Sequence, residues 1–541
     1  MISNLTVFFC IIWAATLLYG EKFAYWVPTC SWPMDTMDDP GDYVKIAVIA
    51  DPQLMDRTSL NLAPKSLILE IVQFYTDIYM RRAMLASIMP VKPDMVLFLG
   101  DYFDGGPVLS DEEWQDSLNR FRHIFDIKTL ERITNDRVYF LSGNHDIGYA
   151  AYHSHKPQVI SRYEKVFGLR NYHFGAGEVE FVAVDAQTLD GHSQQSLTSA
   201  SWSFVNNVSR DSLSPPRVLL THIPLYRPDW TSCGSKRSSP IINQVIFFIL
   251  SNLSHFTRFL LKLTSVFHVQ RISRATYDQE IMYQNYLTEE TTNKLLNSIK
   301  PVLVLSGHDH DQCTVTHLAK HGAVLEQTLG TISWQQGNLY PSFMLLTASK
   351  LAVSNASNAV STHLCLLPAQ TFIYIWYILL FVVTFVVILV WPTNGLKIHL
   401  HIGEIMSNML GIFKSNTKEK DEDENCEYEM VWDAEGSMHL IKKPLKIVPS
   451  RSNERVERGN ATMRSAAKKQ ITLEVNVLMP QDVSGQPGPD PAAKLGPVKT
   501  NKSNVRFVIR RLIRVFQALS VVAAVNVPIY IMLLFADWID K

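Results

Sequence analysis

Seven side chains in five short motifs are of types that bind divalent metal ions. Each motif directly follows a run of apolar residues, so each lies where a buried strand is predicted to end. Carboxylate, amide and imidazole groups suit Mn, Fe and Zn, and the set contains no cysteine, which argues against a structural zinc site. In chain order, the predicted ligands are Asp51, Gln53, Asp101, Asn144, His222, His308 and His310.

The order of these motifs matters more than any one of them. An aspartate after a strand is usually part of a turn, and a single histidine is usually structural. The carboxyl ends of parallel strands, however, meet along one edge of an α/β sheet, so the five motifs are expected to converge there. One carboxylate can bridge two ions about 3.5–4 Å apart, an arrangement used for in-line displacement at phosphorus. The pattern therefore predicts a dinuclear site for phosphoryl chemistry.

Residues 42–350 have the pattern of an α/β domain that would position these ligands. Helical stretches separate several short runs rich in Val, Ile and Leu, which predicts buried sheets with helices on their faces. One helix should begin at Ser110, where Glu113 completes a capping box. Residues 234–275 interrupt the pattern as an insertion, either a core helix pair or an amphipathic element on a membrane. The predicted strands are 44–50, 95–99, 138–141, 179–184, 218–220, 302–305 and 343–346.

Three apolar stretches predict attachment to a membrane. Residues 1–22 are expected to be a signal peptide or an uncleaved signal anchor. Residues 371–391 and 515–535 are each long enough to cross a bilayer core of about 30 Å. The alternative for the last stretch is a buried core helix, because Gln517, Asn526 and Pro528 weaken its apolar character.

Loop charges predict the orientation of the chain. Four arginines between 506 and 514 precede the last apolar stretch, and clustered basic residues favour the cytosolic side. The segment 392–514, with an acidic run and a Pro/Gly-rich stretch, is then a cytosolic and largely flexible loop. Residues 42–350 would be lumenal, which suits the glycosylation sequons at Asn207, Asn252 and Asn355. The formal net charge of −1 shows no basic excess, so we expect no nucleic acid as a partner.

The five motifs resemble those of the calcineurin-like metallophosphoesterase superfamily, D-x-H, G-D-x-x-D, G-N-H-D, an isolated H and G-H-x-H, over roughly residues 42–350. The resemblance implies a four-layer α-β-β-α sandwich, here with transmembrane helices. It also implies that Asp51 and His310 hold one ion, that Asp101 bridges, and that the second ion is held by Asn144, His222 and His308.

The first motif departs from the superfamily because Gln53 stands where its histidine is expected. A glutamine carbonyl is a weaker ligand, so the change could favour Mn or remove Gln53 from the site. The resemblance further implies that His145 is the acid that protonates the leaving alkoxide, with Asp146 orienting it, while Asp104 serves the turn or supports the ligands.

A narrower resemblance is to the GPI-anchor remodelling membrane phosphoesterases, through residues 143–148, 162–168 and 221–227, Trp334 after Ser333, and the apolar stretch beyond the domain. It implies removal of ethanolamine phosphate from a mannose of the GPI glycan by metal-hydroxide attack. Two divalent ions are expected, Mn first, with Zn or Fe as alternatives. The substrate would be GPI-anchored proteins or the GPI glycan, in the endoplasmic reticulum or Golgi membrane, with trafficking partners possible through the cytosolic loop.

The same resemblance favours a disulfide between Cys233 and Cys313. Cys10 lies in the apolar leader and Cys426 in the predicted cytosolic loop, so these two are expected to be free. Arg227 is a candidate phosphate contact, and the alternative for it is a surface salt bridge. Two other functions stay open at this point. One is a lumenal phosphoesterase that acts on another lipid or glycan phosphate, and the other is a non-catalytic membrane adaptor with a degenerate site, for which Gln53 is the support.

Overall fold

The structure, a computed structural model, describes residues 4–26, 30–33, 40–153, 156–192, 196–210, 215–228, 231–237, 272–275, 280–351, 356–391, 426–432, 438–444 and 502–539. It divides into a larger unit, Met1–Ile388 with Arg514–Lys541, and a smaller one, Leu389–Ile513. Most of the predicted insertion and of the predicted cytosolic loop lies outside the described residues.

Two mixed sheets form the centre of the larger unit. Sheet one has the strand order β13-β12-β1-β2-β3, in which β1, β2 and β3 are parallel. Its strands are β1 Tyr43–Ile49, β2 Met95–Phe98, β3 Val138–Phe140, β12 Ser342–Ser349 and β13 Val360–Leu366. Sheet two has the order β10-β11-β9-β6-β5-β4, with β5, β6, β9 and β11 parallel. Its strands are β4 Tyr172–Ala176, β5 Val179–Val184, β6 Arg217–Thr221, β9 Leu303–Ser306, β10 Cys313–Ala319 and β11 Gly322–Thr328.

Helices precede, separate and follow these strands. The described helices are α1 Asn4–Leu18, α2 Ala24–Trp26, α3 Leu67–Arg82, α4 Asp111–Ile124, α5 Ile127–Thr134, α6 Asn144–Ile147, α7 Ala150–His153, α8 Pro157–Phe167, α9 Ala186–Leu189, α10 Ser196–Ser209, α11 Glu289–Ile299, α12 Gln370–Val390 and α13 Lys502–Trp538. The predicted capping box at the start of α4 is confirmed, because Ser110 and Glu113 exchange hydrogen bonds between side chain and backbone.

Two two-stranded sheets complete the described strands. One pairs β7 Ile272–Arg274 with β8 Ile281–Gln284, and the other pairs β14 Cys426–Trp432 with β15 Met438–Pro444.

The alternation of side chains along each strand explains why the sheets pack face to face. Ile46 and Val48 of β1 join Phe181 of β5 and Leu220 of β6 in one buried apolar cluster. Because successive residues of a strand point to opposite faces, the intervening positions must be covered from outside. The inner cluster is therefore the layer between the two sheets.

Helices cover the outer face of each sheet. Ala47 and Ile49 of β1 belong to a second cluster together with side chains of α3, α4, α5 and α8. Val184 and Leu219 belong to a third cluster, together with side chains of α9, α10 and α11. These clusters confirm the predicted four-layer α-β-β-α sandwich, and all seven predicted strands are present.

Three described helices are long and apolar enough to cross a bilayer, which indicates a membrane protein: Asn4–Trp26, Gln370–Val390 and Arg506–Trp538. The predicted apolar stretches 371–391 and 515–535 lie in the second and third of these helices. The first overlaps the predicted segment 1–22 and ends four residues beyond it, at Trp26, because α1 continues through a wide helical turn into α2.

Two disulfides are present among the described cysteines. The predicted pair Cys233–Cys313 is confirmed, and Cys10 is free as predicted. A second pair, Cys30–Cys365, was not predicted; it links the segment after α2 to strand β13, with the two Cα atoms 5.5 Å apart.

A buried charge cluster ties the sandwich to the apolar helices. Arg82 at the end of α3 pairs with Glu21, and its Nε lies 3.3 Å from Asp537 Oδ2 near the end of α13. Its Nη2 also donates to the carbonyl oxygen of Leu533 at 3.1 Å. The side chains of Arg82 and Glu21 are almost fully buried, so each charge depends on the other for compensation.

We expect Arg82→Met to lower the free energy of unfolding by about 3–5 kcal/mol, because it leaves the buried carboxylate of Glu21 without its charged partner. Thermal unfolding of the full chain in detergent measures this. The control is Arg57→Met, which removes a pair with Glu113 in which Arg57 is 36% exposed; it should cost less than about 1 kcal/mol. Equal losses in the two variants would show that the cluster does not hold α3 to the apolar helices.

Candidate metal centre

The loops that follow β1, β2, β6 and β9 meet at one edge of the sandwich. They carry two groups of side chains whose potential ligand atoms lie within 4.8 Å of one another. The first group is Asp51, Asp101 and His310, and the second is Asp101, His222 and His308. Asp101 belongs to both groups, which is the arrangement that two ions sharing one carboxylate require.

Asn144 lies beside the second group, at the start of α6. Its Oδ1 is 3.1 Å from His222 Nε2, and that nitrogen is 3.2 Å from Asp101 Oδ2. The structure therefore brings Asn144 to the position at which the sequence predicted a ligand.

Gln53 also reaches the shared carboxylate. Its Nε2 donates a hydrogen bond of 3.1 Å to Asp101 Oδ2, and both side chains are buried. In this orientation the amide nitrogen, and not the carbonyl oxygen, faces the site. Gln53 is thus part of the cluster, where it supports Asp101.

The backbone around the ligands takes conformations that L-residues rarely adopt. Five of the seven predicted ligands have positive φ, with values of 49° at Asp51, 37° at Gln53, 55° at Asp101, 70° at His308 and 57° at His310. Such conformations persist where the surrounding structure enforces them, and they cluster at functional sites.

Two glycines allow the carboxylates to approach the backbone closely. A Cβ atom on Gly143 would lie 2.0 Å from Asp101 Oδ1, and one on Gly307 would lie 2.7 Å from Asp51 Oδ2. Any side chain at either position would collide with a predicted ligand, so the glycines of the third and fifth motifs are required by packing.

Backbone hydrogen bonds orient the two aspartates and the histidines. The amide of His308 donates to Asp51 Oδ1 at 2.9 Å, and the amide of His145 donates to Asp101 Oδ1 at 2.8 Å. His222 Nδ1 lies 2.7 Å from the carbonyl oxygen of Leu99, which turns its Nε2 towards the cluster. A carbonyl partner on one ring nitrogen is how metal-binding histidines are usually held.

The charge balance of the cluster favours a bound cation. Burial raises the pKa of Asp51 to about 8, although His222 opposes this. Burial also lowers the pKa of His308 to about 3 and that of His310 to about 4. Burial opposes ionisation of Asp101, but the neighbouring histidines His222 and His145 hold its pKa below its usual range.

Within the described part of the chain, the ion pairs of Asp51 and Asp101 are with His222, not with lysine or arginine. The lowered pKa values of His308 and His310 leave these two imidazoles uncharged beside the buried carboxylates, and a divalent cation stabilises such a donor set because it supplies positive charge. The residues present therefore fit two divalent ions.

His145 is held by Asp104. Its Nδ1 bonds the carbonyl oxygen of Asp104 and lies 3.5 Å from the carboxylate Oδ1 of the same residue. The ring is 36% exposed, so Nε2 is the ring atom left to meet a substrate. Burial lowers the pKa of His145, but Asp101 and Asp104 outweigh it and the pKa is raised overall.

Asp146 does not orient His145 as the resemblance had implied. Its carboxylate instead accepts three backbone N–H bonds of 2.8 Å, from Asp101, Tyr102 and Gly143. Asp146 therefore fixes the backbone of the loop that carries the shared ligand, and Asp104 is the partner of His145.

The expectation that Arg227 contacts a phosphate is wrong, because its side chain is not placed to do so. It is 1% exposed, with Nη1 3.1 Å from Asp309 Oδ2 and Nη2 3.3 Å from Glu326 Oε2. A guanidinium that is buried between two carboxylates has no free face for a substrate. The structure shows a salt bridge, as in the alternative, but it is buried and not at the surface.

This salt bridge anchors the loop that carries two ligands. Asp309 lies between His308 and His310 in the chain, and it also accepts from the Tyr286 hydroxyl at 3.1 Å and from Arg237 Nη1 at 3.2 Å. Sequence reasoning missed this role for Asp309, although its position between two predicted ligands was the available signal.

The comparison with protein families agrees with this geometry. Residues 44–312 match the family model described as calcineurin-like phosphoesterase. This domain is a calcineurin-like metallophosphoesterase. The chain is accordingly a metal-dependent phosphoric ester hydrolase, and the family's dinuclear site corresponds to the two groups around Asp101.

Similar proteins extend the match beyond the motifs. Cell division control protein 1 of Saccharomyces cerevisiae is 28% identical over 383 residues, covering 66% of this chain and 68% of the relative. Metallophosphoesterase 1 of Danio rerio is 25% identical, and the match covers 64% of this chain and 81% of the relative. Metallophosphoesterase 1 of Rattus norvegicus is 26% identical, and the match covers 66% of this chain and 82% of the relative. A solved structure of vacuolar protein sorting 29 from Cryptosporidium parvum, 11% identical, covers 60% of this chain and 96% of its own, but its TM-score of 0.23 is too low to bear on the fold.

The buried position of Arg227 predicts a loss of stability on substitution. Arg227→Met should lower the free energy of unfolding by about 3–5 kcal/mol, because the buried carboxylate of Glu326 loses its arginine partner and Asp309 loses one of its two arginines. Arg57→Met is again the control, since Arg57 and its partner Glu113 are 36% and 30% exposed, and it should cost about 1 kcal/mol or less. Thermal unfolding distinguishes the two. A folded Arg227→Met enzyme of normal stability with only a raised KM would instead support a phosphate contact.

Proposed function

We propose that this chain is a dinuclear phosphodiesterase that removes ethanolamine phosphate from a mannose of the GPI-anchor glycan, in the endoplasmic reticulum or Golgi membrane. The observation that carries the chemistry is the pair of ligand groups that share Asp101, in a calcineurin-like domain that is followed by an apolar helix. The substrate rests on the motif resemblance through residues 143–148, 162–168 and 221–227.

Each ion would be held by one of the two groups. Asp51 and His310 would hold the first, Asp101 would contact both, and the second would be completed by Asn144, His222 and His308. Gln53 would donate to Asp101 or, with its amide turned over, offer its carbonyl oxygen to the first ion. Mn suits this set of oxygen and nitrogen donors, with Zn or Fe as alternatives. Two divalent ions supply charge neutralisation at the phosphoryl oxygens and activation of the nucleophile.

His145 would act on the leaving group. Attack at phosphorus breaks the bond to the mannose oxygen, and that oxygen leaves as an alkoxide that needs a proton. His145 Nε2 would supply it, while Asp104 holds Nδ1 and keeps the ring in position. Asp146 would support the reaction indirectly, by fixing the backbone of Asp101.

Contacts between the catalytic edge and an apolar helix support a membrane-borne substrate. Gln335 Nε2 donates to the carbonyl oxygen of Gln53 at 3.2 Å, and its neighbour Trp334 packs against Tyr374 of α12 with the ring centroids 5.6 Å apart. The metal cluster is therefore two side-chain contacts away from a candidate membrane helix.

A lumenal catalytic domain remains part of the proposal. It is supported by the arginines before 515 and by Asn207, an exposed sequon residue on α10. GPI-anchored proteins or the GPI glycan would be the substrates, and residues 392–514 would offer a cytosolic contact for trafficking partners.

Metal content tests the proposed ligand roles. Asp101→Ala should lose both ions, because its carboxylate belongs to both groups, whereas Asp51→Ala should keep one. Asp111→Ala, in which a 93% exposed carboxylate is removed, should keep two. Elemental analysis of purified protein measures the number of metal ions per chain. Loss of a single ion from Asp101→Ala would contradict the bridging role.

Turnover tests His145. His145→Ala should lower the rate of aryl phosphodiester hydrolysis with Mn by about 100- to 10,000-fold, the usual contribution of a general acid, with its metal content unchanged. His173→Ala is the control, because this 56% exposed histidine pairs with Glu180 on sheet two. An undiminished rate in His145→Ala would remove His145 from the mechanism.

The substrate is tested in cells. GPI-anchored proteins from cells lacking this chain should retain ethanolamine phosphate on the mannose, as measured by mass spectrometry. Wild type should restore its removal, and His145→Ala should not. Unchanged mannose substitution with normal hydrolysis in vitro would favour the second candidate, a phosphoesterase on another lipid or glycan phosphate. Unchanged mannose substitution together with no hydrolysis in vitro would favour a non-catalytic membrane adaptor.

A further inference from the structure

The first half of helix α3 exposes a row of large apolar side chains. Leu67, Ile68 and Ile71 are 72%, 62% and 47% exposed. Residues that are three, four or seven positions apart share one face of an α-helix, so Phe74 and Tyr75 continue this face along α3. We call these five residues the α3 stripe. A contiguous apolar surface of this kind marks a place where a folded domain contacts another protein or a membrane.

The opposite face of α3 packs on the catalytic domain. Met80 is buried in the apolar cluster between sheet one and its covering helices. Gln73 Nε2 donates to the carbonyl oxygen of Met55 at 2.9 Å, and Arg120 Nε of α4 lies 2.7 Å from Asp77 Oδ2. These contacts fix α3 to the domain, and the α3 stripe therefore points away from it.

The second half of the α3 stripe packs against two candidate membrane helices. The ring centroid of Phe74 is 5.7 Å from that of Phe535 and 5.4 Å from that of Trp538, both on α13. The ring centroid of Tyr75 is 6.3 Å from that of Tyr374 on α12. Tyr374 is the fifth residue of α12, and Trp538 is the last residue of α13. The α3 stripe therefore reaches the ends of both apolar helices on the side of the catalytic domain.

The residues at this level are typical of the interface between a bilayer and water. Tryptophan and tyrosine are enriched at that interface, and here Tyr374 and Trp376 lie near the start of α12, with Trp538 at the end of α13. Ile375 and Trp376 are each 53% exposed, and such side chains face lipid in a helix that crosses the bilayer. Through the contact between Tyr75 and Tyr374, the α3 stripe is continuous with this lipid-facing surface.

Helix α3 lies across the end of α13. Phe74 and Arg82 are eight residues apart, which is about 12 Å along a helix. Both nevertheless contact the last turns of α13, Phe74 through Phe535 and Trp538, and Arg82 through Asp537. If α3 ran alongside α13, the two contacts would be separated by a similar distance along α13. The first half of α3 therefore extends beside the candidate membrane helices at the level of their ends.

We propose that the α3 stripe lies in the interfacial layer of the lipid bilayer, with its three exposed residues against the acyl chains and the axis of α3 along the membrane surface. A helix with one apolar and one polar face takes this position when it rests on a membrane. The hydrogen bond from Gln73 to Met55 ties α3 to the loop that carries Gln53, so the bilayer surface fixes the distance between the catalytic edge and the membrane. This surface does not depend on the proposed substrate.

Nitroxide labels on the full chain in lipid nanodiscs test the proposal. Cys10→Ala and Cys426→Ala remove the cysteines outside the two disulfides, and a single label is then attached at Ile68→Cys. Molecular oxygen concentrates in lipid, whereas a nickel chelate stays in water, so saturation of the EPR signal with each reagent distinguishes the two surroundings. The label at Ile68→Cys should collide more often with oxygen than with the chelate.

Two exposed leucines give matched references. Leu379 is 50% exposed in the middle of α12, and a label at Leu379→Cys should report lipid. Leu318 is 85% exposed near the end of β10 that lies away from the metal ligands, and a label at Leu318→Cys should report water. A ratio like that of Leu318→Cys at Ile68→Cys would overturn the proposal. Low accessibility to both reagents would also overturn it, because protein would then cover the α3 stripe.

Photo-crosslinking tests the chain without any substitution. A phosphatidylcholine with a diazirine on the first carbons of one acyl chain labels protein at the interfacial level when it is illuminated. Mass spectrometry should find lipid adducts on residues 67–71 and on residues 372–376 at the start of α12, and none on residues 313–319 of β10. Adducts at the start of α12 without any on residues 67–71 would contradict the inference.

Discussion

The position of the Asp101 carboxylate is the constraint on which the rest of the site depends. It is fully buried, it receives hydrogen bonds from the His145 amide and from Gln53, and it lies within ligand distance of both histidine groups. Asp146 holds the backbone on either side of it by accepting from the N–H groups of Asp101 and Tyr102. Because two sheets contribute ligands around this one carboxylate, the sandwich must bring their edges together before any ion can bind.

The sequence predicted the strands and ligands that follow a simple physical rule. Parallel strands that are buried on both faces are continuous apolar runs, so β1, β2, β6 and β9 could be recognised, and the polar residue after each marked the site. Edge strands such as β10, Cys313–Ala319, alternate between buried and exposed side chains and lie next to turns, and they were missed. The strands β14 and β15 lie in a segment whose composition predicted flexibility.

Long-range pairing explains the remaining corrections. Arg227 looked like a phosphate contact because it follows His222 closely in the chain, yet its partner Asp309 is 82 residues away. Asp146 follows His145 directly, yet it bonds the backbone of the neighbouring loop, and Asp104, 41 residues earlier, takes its expected place. Chain proximity predicted which residues would gather at the site, while the roles depended on contacts between elements that a single sequence does not reveal.

The connection between the sandwich and the apolar helices gives the enzyme its setting. Arg82, Glu21 and Asp537 join α3 to the ends of two candidate spans, and Trp334 links the catalytic edge to a third. An anomalous-scattering map collected from Mn-loaded crystals tests the central claim most directly. Two peaks about 3.5–4 Å apart, one on each side of the Asp101 carboxylate, are the expected result. A single peak, or two peaks that do not share Asp101, would contradict the account.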